Sequence, residues 1–297
     1  MKLSPGKIAF ITGGASGLGL GMAKAFLERG MGVAVADVMP DHLEAARSEL
    51  ADAGPCHFIR LDVTDREGFA RAADEAEEAL GPVSVLCNNA GVGALGATQD
   101  SDYRDWDWVM SVNFGGALNG VQTFLPRMRQ RGAGHIVNTA SIGAVLPGPG
   151  GAAYLTSKAA VLGLSETLYC DLHGQGIGVT AILLGPTASN IHKVSKHRPD
   201  AFSGTALAAR EVESGDAPLL MAGMEPVEAG RKVLDAVEAD QLYLFTHREF
   251  RHGVQQRLDA IMTGFGPDEG GPPATTCYGF PTFNPVFGEI VEASRKS

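Results

Sequence analysis

Nothing in the 297-residue sequence pairs its cysteines. Cys56, Cys87, Cys170 and Cys277 stand far apart, with no C-x-x-C pair and no metal-ligand spacing, so they read as buried or free thiols in a reducing compartment and no metal site is expected. No apolar run approaches the roughly 18 residues of a membrane span. The stretch from Met1 to Gly6 has no signal-peptide pattern, so a cytoplasmic protein without a membrane partner is expected. Basic residues are also in short supply, 24 against 34 acidic ones, for a net charge of −10. Phosphate-backbone binding needs clustered Lys and Arg, so nucleic acid is not an expected partner. What remains, 44% apolar and 20% charged residues, is the composition of an ordinary globular chain.

Short apolar stretches alternate with helical ones along this chain. Lys7 to Thr12, Gly32 to Asp37, Cys56 to Leu61, Val83 to Asn88, His135 to Thr139, Gly178 to Leu184 and Leu242 to Thr246 have the length and apolar or β-branched character of buried parallel strands. Leu18, Met22 and Phe26 recur at i, i+4 and i+8 and stop at Gly30, a position suited to a left-handed helix end. Thr64 with Glu67 reads as a capping box, and further helices are expected over Tyr154 to His173 and Pro226 to Ala239. Strict βα alternation predicts an α/β fold, a doubly wound parallel sheet of the Rossmann type with seven strands and helices on both faces. The expected organisation is one domain over 1–263, an insertion at about 187–225 that holds its own helix, and a tail over 264–297 rich in Gly, Pro and aromatic residues.

The turn Thr12-Gly-Gly-Ala-Ser-Gly-Leu-Gly19 follows the first strand and opens the first helix. Backbone N–H groups around Ser16 and Leu18, with the helix dipole, can there hold an anionic pyrophosphate, and Gly13, Gly17 and Gly19 let the chain turn and approach it. Asp37 ends the second strand about 20 residues after the glycines, where a carboxylate accepts hydrogen bonds from an adenosine ribose. No Arg or Lys stands at Ala15, Ser16 or Val38 to offset its repulsion of a 2′-phosphate, so NAD is the expected cofactor.

Tyr154 and Lys158 are i and i+4 on one helix, which puts their side chains side by side. Ser141 follows a strand thirteen residues before the tyrosine, and Asn113 lies on the preceding helix. With Thr12 to Gly19, Asp37, Asp62-Val63 and Asn88-Asn89-Ala90-Gly91, these residues occur in the order and spacing of the short-chain dehydrogenase/reductase family, which the chain resembles in its common single-domain form over nearly its whole length. The glycine turn reads G-x-x-x-G-x-G, not the G-x-x-G-x-x-G of the extended relatives, which disfavours sugar-nucleotide epimerase chemistry.

The resemblance implies an NAD-dependent alcohol dehydrogenase or ketone reductase. Tyr154 would be the general acid/base, Lys158 would lower its pKa and bind the nicotinamide ribose, Ser141 would stabilise the substrate oxygen, and Asn113 would hold a water that links the lysine to solvent. Asp62 and Val63 would contact adenine, Asn89, Ala90 and Gly91 the ribose side, and Thr187 and Ser189 the carboxamide. After the sixth strand the family usually reads Pro-Gly and then a threonine; here the order is Leu184-Gly185-Pro186-Thr187, which makes that contact the least secure. A homodimer or homotetramer is implied in the same way.

Substrate identity falls to loops at the strand C-termini: 92–98, 142–153, 187–225 and the tail. The second, Ile142 to Ala153, is apolar and uncharged, which suits a hydrophobic alcohol or ketone better than a phosphorylated sugar. In the third, His192, Lys193, Lys196, His197 and Arg198 could greet an anion or form a solvated face. Asp105 to Asn113, Ser189-Asn190-Ile191 and Arg198-Pro199 are similar to the bacterial Cα-dehydrogenases of lignin-derived aryl ethers, which implies a bulky, aryl secondary alcohol. The alternatives are a steroid, terpenoid or other alicyclic alcohol dehydrogenase, or a non-catalytic NAD-binding regulator.

Overall fold

Seven strands lie side by side, all parallel, in the order β3-β2-β1-β4-β5-β6-β7. They are β1 (Ile8–Thr12), β2 (Gly32–Asp37), β3 (Cys56–Arg60), β4 (Val83–Asn88), β5 (Gly134–Thr139), β6 (Ile177–Leu183) and β7 (Tyr243–Phe245). The structure is a computed structural model and describes residues 1–189, 191, 197–213, 223–267, 275–278 and 280–295. The helices that connect the strands are α1 (Gly17–Glu28), α2 (Pro40–Glu49), α3 (Arg66–Leu80), α4 (Tyr103–Met110), α5 (Gly116–Arg131), α6 (Ala152–Asp171), α7 (Ala206–Glu213) and α8 (Pro226–Glu238). This is the doubly wound sheet expected from the strand and helix periods.

Alternation along β1 shows how the sheet is covered. Ala9 and Ile11 point into a core shared with Met22 and Phe26 of α1, Leu43 of α2 and Val233 of α8. Phe10 points the other way, against Phe69 of α3 and Phe124 of α5, with the Phe10 and Phe124 ring centroids 4.9 Å apart. Both sheet faces are dry, so the central strands read as near-continuous apolar runs. Strand order reverses between β1 and β4, and the crevice at their C-terminal ends is where such sheets bind ligands.

The chain divides into two compact units, Met1–Phe250 and Arg251–Ser297, so the expected boundary after Thr263 lies within the second. That unit contains a helix, α9 (Arg251–Met262), an antiparallel pair, β8 (Thr276–Cys277) with β9 (Phe280–Pro281), and a last helix, α10 (Pro285–Ser294), capped by the Asn284 side chain. Among the described residues no helix is long and apolar enough to cross a membrane. One local expectation is corrected. Helix α3 is capped by Asp65, whose carboxylate accepts from the Gly68 N–H at 2.9 Å, while Thr64 bonds to Asp62. Aspartate competes at least as well as threonine for an N-cap, and one residue of register decides between them.

Candidate active site

The turn after β1 is built for close approach. Gly13 has φ +58°, and a Cβ there would stand 2.9 Å from the Ala90 Cα; a Cβ on Gly19 would overlap the Gly13 carbonyl. Ser16 is the N-cap of α1 but makes no side-chain cap, and the first helical turn has no acidic residue, so the N–H groups around Ser16, Gly17 and Leu18 meet neither a side-chain cap nor a like charge of their own helix and suit an anion. Asn89 ties this turn to β4: its amide donates to the carbonyls of Thr12 (3.0 Å) and Gly13 (3.2 Å). Thr12 Oγ1 accepts in return from the N–H groups of Asn89 (2.9 Å) and Ala90 (3.1 Å). The Asn89 side chain is therefore committed to the scaffold, and Ala90 and Gly91 offer backbone to the crevice.

Asp37 is buried at the end of β2. Its carboxylate accepts from the Ala15 N–H (3.3 Å) and the Met39 N–H (3.1 Å), and Arg60, its register partner on β3, makes no ion pair with it among the described contacts. A carboxylate held only by amides keeps lone pairs for a ribose diol and repels a 2′-phosphate. Asp62 is exposed, with one oxygen used by Thr64; Val63 is buried and its carbonyl accepts from Asn119 (2.8 Å). The glycine cradle, the open helix N-terminus and the unpaired acid together fit a dinucleotide.

At the far end of the crevice the chemistry-bearing groups converge. Ser141 is the N-cap of a short 3-10 turn, Ile142–Ala144, its Oγ accepting from the Gly143 N–H (3.1 Å), which leaves its hydroxyl proton free to donate. It hydrogen-bonds half-buried Tyr154 on α6. Lys158, buried one turn on, donates to the Thr139 carbonyl (2.8 Å), with its Nζ 5.7 Å from the Tyr154 ring centre. Burial pushes the Tyr154 phenol above its ordinary value, and the Ser141 bond pulls the other way. Burial also pushes Lys158 down to about 8. Desolvation thus outweighs the expected pull of the lysine on the tyrosine, because in this dry corner both groups favour their neutral forms.

Asn113 sits in a π-helical turn, Ser111–Gly115, between α4 and α5. Its side-chain oxygen accepts from the Val92 N–H (2.8 Å), and its amide donates to the Val92 carbonyl (3.0 Å) and to Ser157 Oγ (2.9 Å). Ser157 donates in turn to the Tyr154 carbonyl (2.7 Å). Asn113 therefore joins the β4 exit to the tyrosine's helix, with both amide protons committed. A π turn breaks the regular ladder and recurs at functional sites. Ser157 has no sign in the sequence, and neither do the parts that Thr12 and Thr139 play, the one through its hydroxyl to Asn89 and Ala90 and the other through its carbonyl to Lys158: a buried group that serves its neighbours has no spacing signature of its own.

Thr187 and Ser189 part company. Thr187 is buried, pairs with Met224 in an isolated bridge, and turns its hydroxyl to the Gly185 carbonyl (3.2 Å). Ser189 lies against Gly17, at the glycine turn rather than beside Thr187's inward bond. Of the basic cluster, His192, Lys193 and Lys196 lie outside the described residues, as does Asn190; His197 meets His42 of α2 edge-on with ring centres 6.3 Å apart, and Arg198 is buried.

Residues 7–200 match the family model described as short chain dehydrogenase. The C alpha-dehydrogenase of Sphingobium sp. (strain NBRC 103272 / SYK-6) is 37% identical over 276 residues, covering 92% of this chain and 90% of the relative. Among solved structures, the apo form of LigO from Sphingobium sp. strain SYK-6 superposes with a TM-score of 0.74 at 38% identity, over 89% of this chain and 91% of that one. A short chain dehydrogenase/reductase from Burkholderia phymatum in complex with NAD gives 0.81 at 32% identity, over 92% and 100%.

Proposed function

This chain belongs to the short-chain dehydrogenase family, and on that premise we propose that it transfers a hydride between NAD and a bulky, hydrophobic, aryl-bearing secondary alcohol or its ketone, with Tyr154 as general acid/base. The observation that carries the reading is the Ser141–Tyr154–Lys158 cluster at the end of a crevice whose other end fits a dinucleotide. Gly13, Gly17, Gly19 and Asp37 would hold NAD, which when bound supplies the hydride acceptor. The NAD complex of the Burkholderia phymatum relative supports that choice, as does the amide-held carboxylate of Asp37.

In the oxidative direction Tyr154 takes the alcohol proton through its phenolate oxygen. Ser141 turns its hydroxyl proton from the Tyr154 oxygen to the substrate oxygen, where negative charge gathers as the proton leaves. A phenolate in a dry site needs a cation close by, and below about pH 8 Lys158 carries one. Asn113 acts on orientation, since its bonds to Val92 and Ser157 fix the start of α6. Ala94, Trp108, Val109 and Ala153, with half-buried Trp106 and Phe202 against them, form a buried apolar cluster that packs behind the residue preceding Tyr154, and the 37% identical C alpha-dehydrogenase supports an aryl substrate.

The test is NADH formation at 340 nm with NAD and then NADP, against aryl, alicyclic and short aliphatic secondary alcohols. The expected result is NAD-dependent oxidation of aryl alcohols, lowered at least about a hundredfold in kcat by Tyr154→Phe. Equal rates in wild type and variant would remove the role from Tyr154. Alicyclic-only turnover would overturn the substrate class, and NADP preference the reading of Asp37.

A further inference from the structure

An ion pair buried between α4 and the segment after β6 has no part in the chemistry above. The Arg198 guanidinium meets the Asp105 carboxylate with the two side chains 2% and 0% exposed. Thr205 donates to the same Asp105 oxygen at 2.7 Å, while the other oxygen accepts from the Asp102 N–H at 2.9 Å, so one acid both caps α4 and receives the arginine. The guanidinium carbon stands 4.3 Å above the Trp108 ring. Weaker ties flank the pair: Arg104 donates to the Ser203 carbonyl (2.9 Å), Arg210 meets Asp100 (3.1 Å), and the Leu207 side chain fills the space over Gly96.

A buried ion pair seldom stabilises a fold more than apolar residues of the same size would. What it does impose is one geometry, because each charge is costly unless its partner is in place. Arginine is suited to this, with a planar fork for the carboxylate and a flat face for the indole. The geometry concerns the crevice directly. Upstream, Ser189 lies over Gly17 and Ile191 beside Gly93; downstream, Arg198, Phe202 and Thr205 lie against α4, on the buried apolar cluster that joins Trp108 to Ala153, the residue before Tyr154. Helix α4 then runs through the π turn to Asn113, whose Ser157 bond reaches the Tyr154 carbonyl.

We propose that Arg198 is a positioning residue for the alcohol: paired with Asp105 over Trp108, it holds residues 197–213 in the one arrangement that completes the apolar side of the crevice. The proposal rests on the dehydrogenase reading for what the crevice receives. Without the anchor the competent arrangement becomes one of several, and apparent substrate affinity falls by the fraction of time it is populated, about tenfold for a tenth. Cofactor affinity has no such dependence, because the glycine turn and Asp37 are held by bonds of their own.

The experiment compares full-length wild type with Arg198→Met, Arg198→Lys and Thr205→Val. It measures KM and kcat for the alcohol the wild type oxidises best, the NADH dissociation constant by fluorescence titration, and amide exchange of the NADH complex. Expected are a KM raised about tenfold in Arg198→Met and less in Arg198→Lys, little change in kcat or NADH affinity, and faster exchange confined to residues 197–213. An unchanged KM overturns the proposal, as does a KM that worsens in step with NADH affinity, or exchange that rises across the whole unit. If Arg198→Met does not fold, the other two variants decide by the same criteria. If the wild type oxidises no alcohol, the proposed function fails by itself, and exchange at 197–213 in Arg198→Lys still tests the anchor: faster there alone sustains it, unchanged overturns it.

Discussion

His135 shows how far one residue can differ from what its type suggests. As the expected start of a buried strand, His135 carries a titratable ring where apolar residues are the rule, and that ring is wholly buried on β5, with Nε2 2.8 Å from Thr180 Oγ1 and Nδ1 3.7 Å from an Asp240 carboxylate oxygen. Burial, with a smaller push from the terminal ammonium, lowers its pKa to about 3. A folded pKa below the unfolded value of about 6.5 means that the unfolded chain takes up a proton first, so stability is full above about 6.5 and is lost as pH falls toward 3, at up to about 1.4 kcal/mol per pH unit. Urea unfolding at pH 6.5 and 5.0 should therefore show a loss of about 2 kcal/mol from this group, and His135→Gln should flatten that slope. A slope identical in the variant would mean that other groups carry the acid sensitivity. The same contrast runs through the candidate site. Tyr154, Lys158 and the glycines are legible because their chemistry fixes both residue type and spacing, whereas Asp105 and Arg198 meet across 93 positions of chain and only the folded structure brings them together.

At the scale of elements, period and punctuation suffice for the sheet: β2 and β4 have the same bounds as read from the sequence alone, and the other strands differ by a residue at one end or both. Less legible is how elements approach each other. Helices α1 and α8 pack with their backbones in contact, because Gly21 and Gly230 face one another: a Cβ on Gly21 would overlap the Pro226 carbonyl, and one on Gly230 would stand 2.6 Å from the Gly21 carbonyl oxygen. A glycine in a helix normally costs stability relative to alanine, so its presence here marks a close crossing rather than a weak helix. Gly230→Ala should therefore destabilise by about 1–3 kcal/mol, the usual cost of overpacking, although alanine is the better helix former. Thermal melting decides the sign: a variant that melts higher than wild type would show that the helices separate freely. The tail illustrates the opposite limit, since Gly and Pro in 264–297 read as loop, yet Pro285–Ser294 forms a helix once Asn284 caps it.

For the molecule as a whole, the distribution of buried residues decides what can fold by itself. Every buried residue among the described ones lies between Leu3 and Thr246, inside the unit Met1–Phe250. In Arg251–Ser297 neither α9 nor α10 has a buried residue, and Tyr278 is 100% exposed, Phe265 81% and Phe283 62%. A segment that removes so little apolar surface from water within itself has no core to add to the unfolding transition. The glycine turn, Asp37, Ser141, Tyr154 and Lys158 all belong to the first unit, so its integrity should decide cofactor binding as well. A chain ended after Phe250 should accordingly unfold in one cooperative step, with a melting temperature within about 4 °C of the full chain, the shift that roughly 1 kcal/mol produces at this size. NADH titration of the shortened chain should give an unchanged dissociation constant. A drop of more than about 10 °C, several kcal/mol on the same scale, or loss of NADH binding would show instead that Arg251–Ser297 supports the first unit through contacts that burial within either unit does not reveal.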